Sequence, residues 1–178
     1  MKINSICTFV LFGLGQAFQP IVAFNYGAGK LERVKEAIHY TLKCAAVFSI
    51  AASILIFIFA EPIIKIFSTD KDIVHAGVIS LRILYLTFPL NGFQIIITTL
   101  FQSLGRGKES LFAASARQGI FFIPTILVLP KLIGFYGVMG SQAVGDALGF
   151  ILVFFLFRGF RKHISEIISS NRLNDDIG

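Results

Sequence analysis

Long apolar runs alternate along the chain with short charged segments, and the length of the runs sets the first expectation. A bilayer core of about 30 Å needs roughly 20 apolar residues of helix. Five stretches approach or exceed that: Ile3–Asn25, Cys44–Ala60, Val78–Leu104, Leu111–Pro130 and Tyr136–Phe157. The second is short for a span, so its helix is expected to begin earlier, around Ile38. Ile3–Asn25 lacks a small-x-small cleavage site and contains Thr8, Gln16 and Gln19, so it reads as a retained span and not as a signal peptide. The segment Asn25-Tyr26-Gly27-Ala28-Gly29-Lys30 ends this run with glycines suited to left-handed C-terminal geometry. Leu31–Ala37 then reads as a charged helix lying in the interface.

Composition excludes the alternatives to a membrane protein. Of 178 residues, 55% are hydrophobic and only 15% charged, against about 25% charged in soluble domains. The mean hydropathy is +0.78, too apolar for a disordered chain. The net charge of +6 therefore reads as a topology signal before it reads as a nucleic-acid footprint. Lys30, Arg33, Lys35 and Lys43 lie between the first two runs, Arg106 and Lys108 between the third and fourth, and Arg158, Arg161, Lys162 and Arg172 after the fifth. Against these, only Lys2, Lys65, Lys71 and Lys131 fall in the other extramembrane segments. The bias places the carboxyl terminus in the cytoplasm, Ser68–His75 outside and, with five spans, the amino terminus outside. That is an awkward start for a short chain and suits a piece of something larger.

Catalytic groupings are not expected. His39, His75 and His163 are isolated from one another and from Cys7 and Cys44, so neither a metal site nor a disulfide is indicated. Gly27-Ala28-Gly29-Lys30 and Gly105-Arg106-Gly107-Lys108 lack the full glycine spacing of a nucleotide-phosphate loop. The chain reads as a non-enzyme without a cofactor, and any transport it performs needs an ion gradient or another subunit.

Polar groups inside the spans carry the functional reading. Thr87, Asn91, Gln94, Thr98 and Gln102 recur at helical spacing on one face of the third span. Amides and hydroxyls facing acyl chains would be unsatisfied, so the stripe faces other helices or a solute cavity. Pro89-Leu90-Asn91-Gly92 loosens the helix beside it. In the first span Pro20 removes a backbone donor and frees the carbonyl of Gln16, near Gln19. Arg82 is shallow enough to snorkel outward. Arg117 lies roughly 9 Å in at 1.5 Å per residue. Asp146 sits near the midplane with Ser141, Gln142, Gly145 and Gly149 around it, a face unlike a lipid-exposed one. A carboxyl at that depth is a functional candidate, either as a structural pair with Arg117 or as a proton or cation site.

These residues resemble the carboxyl-terminal half of the multidrug and toxic compound extrusion (MATE) family. The resemblance runs from Gly13 to about Phe157 and rests on several segments in order. They are Gly13-Leu14-Gly15-Gln16-Ala17-Phe18-Gln19-Pro20, Asn25-Tyr26-Gly27-Ala28-Gly29-Lys30 with Arg33-Val34, Phe101-Gln102-Ser103-Leu104-Gly105, Arg117-Gln118, Ile123-Pro124, Leu129-Pro130 and Ala143-Val144-Gly145-Asp146. It implies an all-α integral membrane fold, the five spans standing for helices eight to twelve of a twelve-helix, two-lobe antiporter. Residues 1–162 would then be a partial carboxyl-terminal lobe and 163–178 a cytoplasmic tail. The implied activity is export of cationic or amphipathic compounds in exchange for H⁺ or Na⁺ in the cell membrane, with a missing amino-terminal lobe as partner. The substrate passage would be lined by Thr87, Asn91, Gln94, Thr98 and Gln102, with Gln16, Gln19 and Tyr26 beside them and Asp146 with Arg117 as ion-coupling candidates. The family's helix-seven acid has no counterpart here, and no carboxylate occurs between Val78 and Leu104. Two other readings remain open: a lipid-linked oligosaccharide flippase of the same superfamily, and a non-transporting membrane remnant.

Overall fold

The computed structural model describes residues 2–67, 70–115 and 119–175. Seven helices occupy them: α1 (Lys2–Gly27), α2 (Leu31–Lys65), α3 (Lys71–Leu86), α4 (Phe88–Ser103), α5 (Gly107–Ser115), α6 (Phe122–Ile133) and α7 (Phe135–Asp175).

The helix ends follow from local chemistry. At the end of α1, Gly29 takes φ +71°, the Lys30 amide donates to Asn25 O and the Gly29 amide to Tyr26 O. This paired closure satisfies carbonyls that the last turn would otherwise leave bare. Gly105 repeats it at φ +68°, with Arg106 N donating to Phe101 O and Gly105 N to Gln102 O. α3 starts at Asp70, whose carboxylate accepts from the amides of Asp72 and Ile73. Between α3 and α4 the chain bends by 46°. Pro89 in the first turn of α4 has no amide to give the preceding turn, and Thr87 absorbs the break.

Several boundaries differ from the sequence expectation. α2 begins at Leu31, not near Ile38, and is one helix through Lys65, so Leu31–Ala37 is its first two turns and not a separate interfacial element. Its charged positions are exposed while Val34 and Ile38 are buried, so one helix serves both surface and bilayer. The third run is the bent pair α3–α4, and α3 starts at Lys71, which puts His75 inside a helix. The fourth run is divided between α5 and α6; α6 has 12 residues, which at 1.5 Å per residue rises only about 18 Å. α7 passes without a break through 162 and on to Asp175, so the residues from 163 to 175 extend the last helix. By length and apolarity, three helices can each cross a bilayer, or four spans if the bent pair counts as one.

Lipid supplies no hydrophobic drive between helices, so close backbone approach and hydrogen bonds hold such a bundle. Contacts along the chain give its topology. Gly15 lies against Thr99 and Gly92 against both Leu11 and Ser49, bringing α1, α2 and α4 together with α1 parallel to α4. Gly77 lies against Ile64, packing α3 antiparallel to α2. Phe93 sits 5.2 Å from Phe150 and 5.8 Å from Phe157, and Phe101 is 5.8 Å from Phe160, so α7 runs parallel to α4. α4 is thereby the central helix, buried nearly all round. α6 and α7 form a tight antiparallel hairpin through the positive-φ turn at Gly134. Along α7, Gly137, Ser141 and Gly145 face Leu129, Thr125 and Phe122 respectively. Large apolar residues such as Phe9, Leu55, Phe59 and Phe155 remain more than half exposed, as lipid-facing side chains do.

Candidate functional site

The polar stripe on the third run is split by the bend and meets several environments. Thr87 is the hinge residue itself, its hydroxyl donating to Leu84 O at 3.2 Å. Asn91 and Gln94 are 6% and 2% exposed, Thr98 is half-buried and Gln102 is exposed. Along α4 the stripe thus passes from closed to open over about two turns toward the Gly105 end.

Gln94 is where α4 meets Asp146. Its Nε2 donates to the backbone carbonyl of Asp146 at 2.9 Å, and Asp146 is itself 2% exposed. The small residues of the α6–α7 hairpin bring this part of α7 inward, and the Phe93–Phe150–Phe157 cluster clamps it against α4 just beyond. Aromatic pairs of this kind contribute about 0.5–1.5 kcal/mol each beyond their burial. Among the described residues Gln94 Oε1 is buried without a hydrogen-bond partner, which leaves a carbonyl acceptor in the packed centre beside Asp146. An acceptor in that position can take a donor from a ligand or share a desolvated cation.

The remaining sequence candidates stand apart from this centre. Gln16 is exposed and Gln19 half-buried on α1, which continues through Pro20 to Gly27 without a break. Tyr26 is 42% exposed in the last turn of that helix. Arg117, and with it the expected Arg117–Asp146 pair, lies outside the described residues. Arg82 is exposed, as its shallow position implies, with its guanidinium over the Phe57 ring at 5.1 Å.

Sequence reasoning missed the buried hydroxyls. Ser49, Thr99 and Ser141 donate to carbonyls one turn back on their own helices, at 2.7, 2.9 and 2.6 Å. Each satisfies itself locally, so it leaves no stripe to be noticed. The signal that was available is the pairing of small residues on different helices, Gly15 with Thr99 and Gly92 with Ser49.

The basic segments converge on one end of the bundle. α1, α4 and α7 run in the same direction, so the segments following them share a side. Arg106 packs over Phe160 at 5.3 Å, and Lys35 and Lys43 of α2 line one cleft with Arg161.

Comparison with known proteins gives consistent results. The sequence model of the MatE family matches residues 1–128. Multidrug export protein MepA of Staphylococcus haemolyticus is 27% identical over 156 residues, 88% of this chain and 34% of that protein. The protein of the same name from Staphylococcus aureus strain MSSA476 is 28% identical over 152 residues, 84% and 33% of the two chains. The chain thus spans about a third of the length of the curated relatives it matches. Among solved structures, the MATE multidrug transporter DinF-BH in complex with rhodamine 6G superposes with TM-score 0.85 at 37% identity, covering 90% of this chain and 36% of that one. An inward-facing MATE family transporter of the MOP superfamily gives TM-score 0.82 at 22% identity, covering 93% and 39%, a likeness of fold.

Proposed function

The chain belongs to the MatE family, whose model matches residues 1–128, and from that premise we propose that it forms the carboxyl-terminal lobe of a secondary multidrug antiporter, helices eight to twelve of the whole. In this reading the lobe exports cationic or amphipathic compounds against an inward flow of H⁺ or Na⁺. The observation that carries it is the contact between Gln94 and Asp146 at the centre of the bundle, with Thr98 and Gln102 opening from it. A buried carboxyl-bearing residue beside an acceptor amide suits a group that exchanges a cation or proton. Alternating access then follows from rocking this lobe against a second one around a shared site.

Relatives named as multidrug export proteins support the activity, and the structure of DinF-BH with rhodamine 6G supports a cationic dye as probe. The common end of the Lys30, Arg106 and Arg158–Lys162 segments supports a cytoplasmic carboxyl terminus by the positive-inside rule. The passage is tested by single cysteines in a two-lobe transporter carrying this chain. Thr98→Cys and Gln102→Cys should react with a water-soluble thiol reagent and be protected by dye, while Ile96→Cys and Ile97→Cys, fully buried positions, should not react. Equal protection of all four contradicts the passage.

A further inference from the structure

At the end of the bundle opposite the Arg106 cluster, α2 and α3 enclose a cleft of about 680 Å³. Its charged lining is unbalanced. Lys71, His75 and Arg82 come from one face of α3, at the spacing of successive turns, and Glu61 and Lys65 come from α2. Glu61 is the one carboxylate of that lining and is already bridged to Lys65 at 2.6 Å. No carboxylate bridges Lys71 or Arg82 among the described residues. Asp70 is turned to capping the first turn of α3 through the amides of Asp72 and Ile73.

Two cations facing one cleft whose carboxylate is already bridged elsewhere repel each other, and the more so with low-dielectric walls. Here Val74, Val78 and Ile79 supply those walls, and Arg82 leans over Phe57, one turn further from the mouth than Glu61. Both helices belong to bilayer-crossing segments, so the mouth of the cleft lies at lipid-headgroup level and its floor faces acyl chains. Charge at the mouth and apolar surface below match one ligand in shape: an amphiphile with an anionic head.

We propose that this cleft is a binding site for an anionic phospholipid, the phosphate held between Lys71 and Arg82 near His75 and the acyl chains lying along Val78 and Ile79. A free phosphate ion makes no use of the apolar wall. The cleft at the other end of the bundle, about 610 Å³, mixes Lys35, Lys43 and Arg161 with Glu32 and Glu36 and so lacks the same excess. The proposal is independent of the export reading.

The test is thermal unfolding of the 178-residue chain, followed by far-UV circular dichroism in phosphatidylcholine nanodiscs with and without phosphatidylglycerol. Phosphatidylglycerol should raise Tm by about 4 °C or more through mass action, and inorganic phosphate added to phosphatidylcholine discs should not. Lys71→Gln with Arg82→Gln should lose most of the rise, Lys71→Arg with Arg82→Lys should keep it, and Lys43→Gln with Arg161→Gln should keep it. If the first pair fails to fold, native mass spectrometry of the other two decides: both must retain phosphatidylglycerol in preference to phosphatidylcholine. The proposal is overturned by any of four results: no preference in the wild-type chain, an undiminished rise in Lys71→Gln/Arg82→Gln, a rise with phosphate alone, or loss of preference in Lys43→Gln/Arg161→Gln.

Discussion

Gly137 and Gly145 sit two turns apart on the same face of α7, and replacing each by alanine should have opposite effects. A Cβ on Gly137 would lie 2.3 Å from Leu129 O, 2.5 Å from Leu129 C and 2.7 Å from Pro130 N. Ordinary contact for such atoms is near 3.5 Å, so α6 and α7 must part by roughly 1 Å. The obstacle is main chain, and no rotamer change relieves it. Overpacking of this severity costs about 1–3 kcal/mol, against which alanine recovers up to about 1 kcal/mol of helix propensity. At Gly145 the nearest atom to an added Cβ is Phe122 Cα at 3.4 Å, an ordinary contact. There the propensity gain should dominate, giving a neutral or slightly stabilised chain. Equilibrium unfolding of the chain in mixed micelles, titrated with SDS and followed by far-UV circular dichroism, should rank Gly137→Ala below wild type and Gly145→Ala at or above it. Leu129→Ala should not rescue Gly137→Ala, because the clash is with the Leu129 backbone. Equal midpoints for the two glycine variants, or rescue by Leu129→Ala, would refute the hairpin geometry.

Three further outcomes are expected. Gln94→Glu should destabilise the chain more than Gln94→Leu in the same titration, because it exchanges the donor to Asp146 O for a buried carboxylate, whereas leucine only forfeits a bond of about 1 kcal/mol; equal losses would mean that Gln94 does not face α7. Asp70→Ala should cost about 1 kcal/mol of stability and Asp70→Asn much less, since the asparagine oxygen still caps α3; indistinguishable variants would rule out the cap. In a two-lobe transporter carrying this chain, Asp146→Asn should abolish gradient-driven export while dye binding persists, because the amide keeps size and hydrogen bonding but not charge; wild-type export by that variant removes Asp146 from coupling.

Hydropathy made the membrane class and most of the spans legible, since lipid imposes its requirement on every residue of a run. Pro89 marked the bend, although the chain turns two residues earlier, at Thr87. The start of α2 was not legible, because Lys35 and Lys43 signal a surface segment whether or not a helix carries them through it. The division of the fourth run between α5 and α6 was equally hidden: 111–130 is apolar throughout, and hydropathy does not report where a helix stops. Around Asp146, Ser141 and Gly145 read as part of a polar face. Instead they are the contact surface for Thr125 and Phe122 of α6. A small residue signals close approach without saying to what. The Gln94–Asp146 contact spans 52 positions of sequence, and no local pattern encodes the pairing of two helices so far apart.

The proposal that this chain is one lobe of an antiporter is tested most directly by dye efflux from proteoliposomes under an imposed H⁺ or Na⁺ gradient. The chain should be reconstituted alone and together with the amino-terminal portion of a MATE transporter, assembly being checked by co-purification. One lobe offers only one wall of a site that must open alternately to each side. The chain alone should therefore show no gradient-driven efflux, and the assembled pair should release dye in proportion to the gradient. Robust efflux from the chain alone, or none from a pair that demonstrably assembles, would contradict the account.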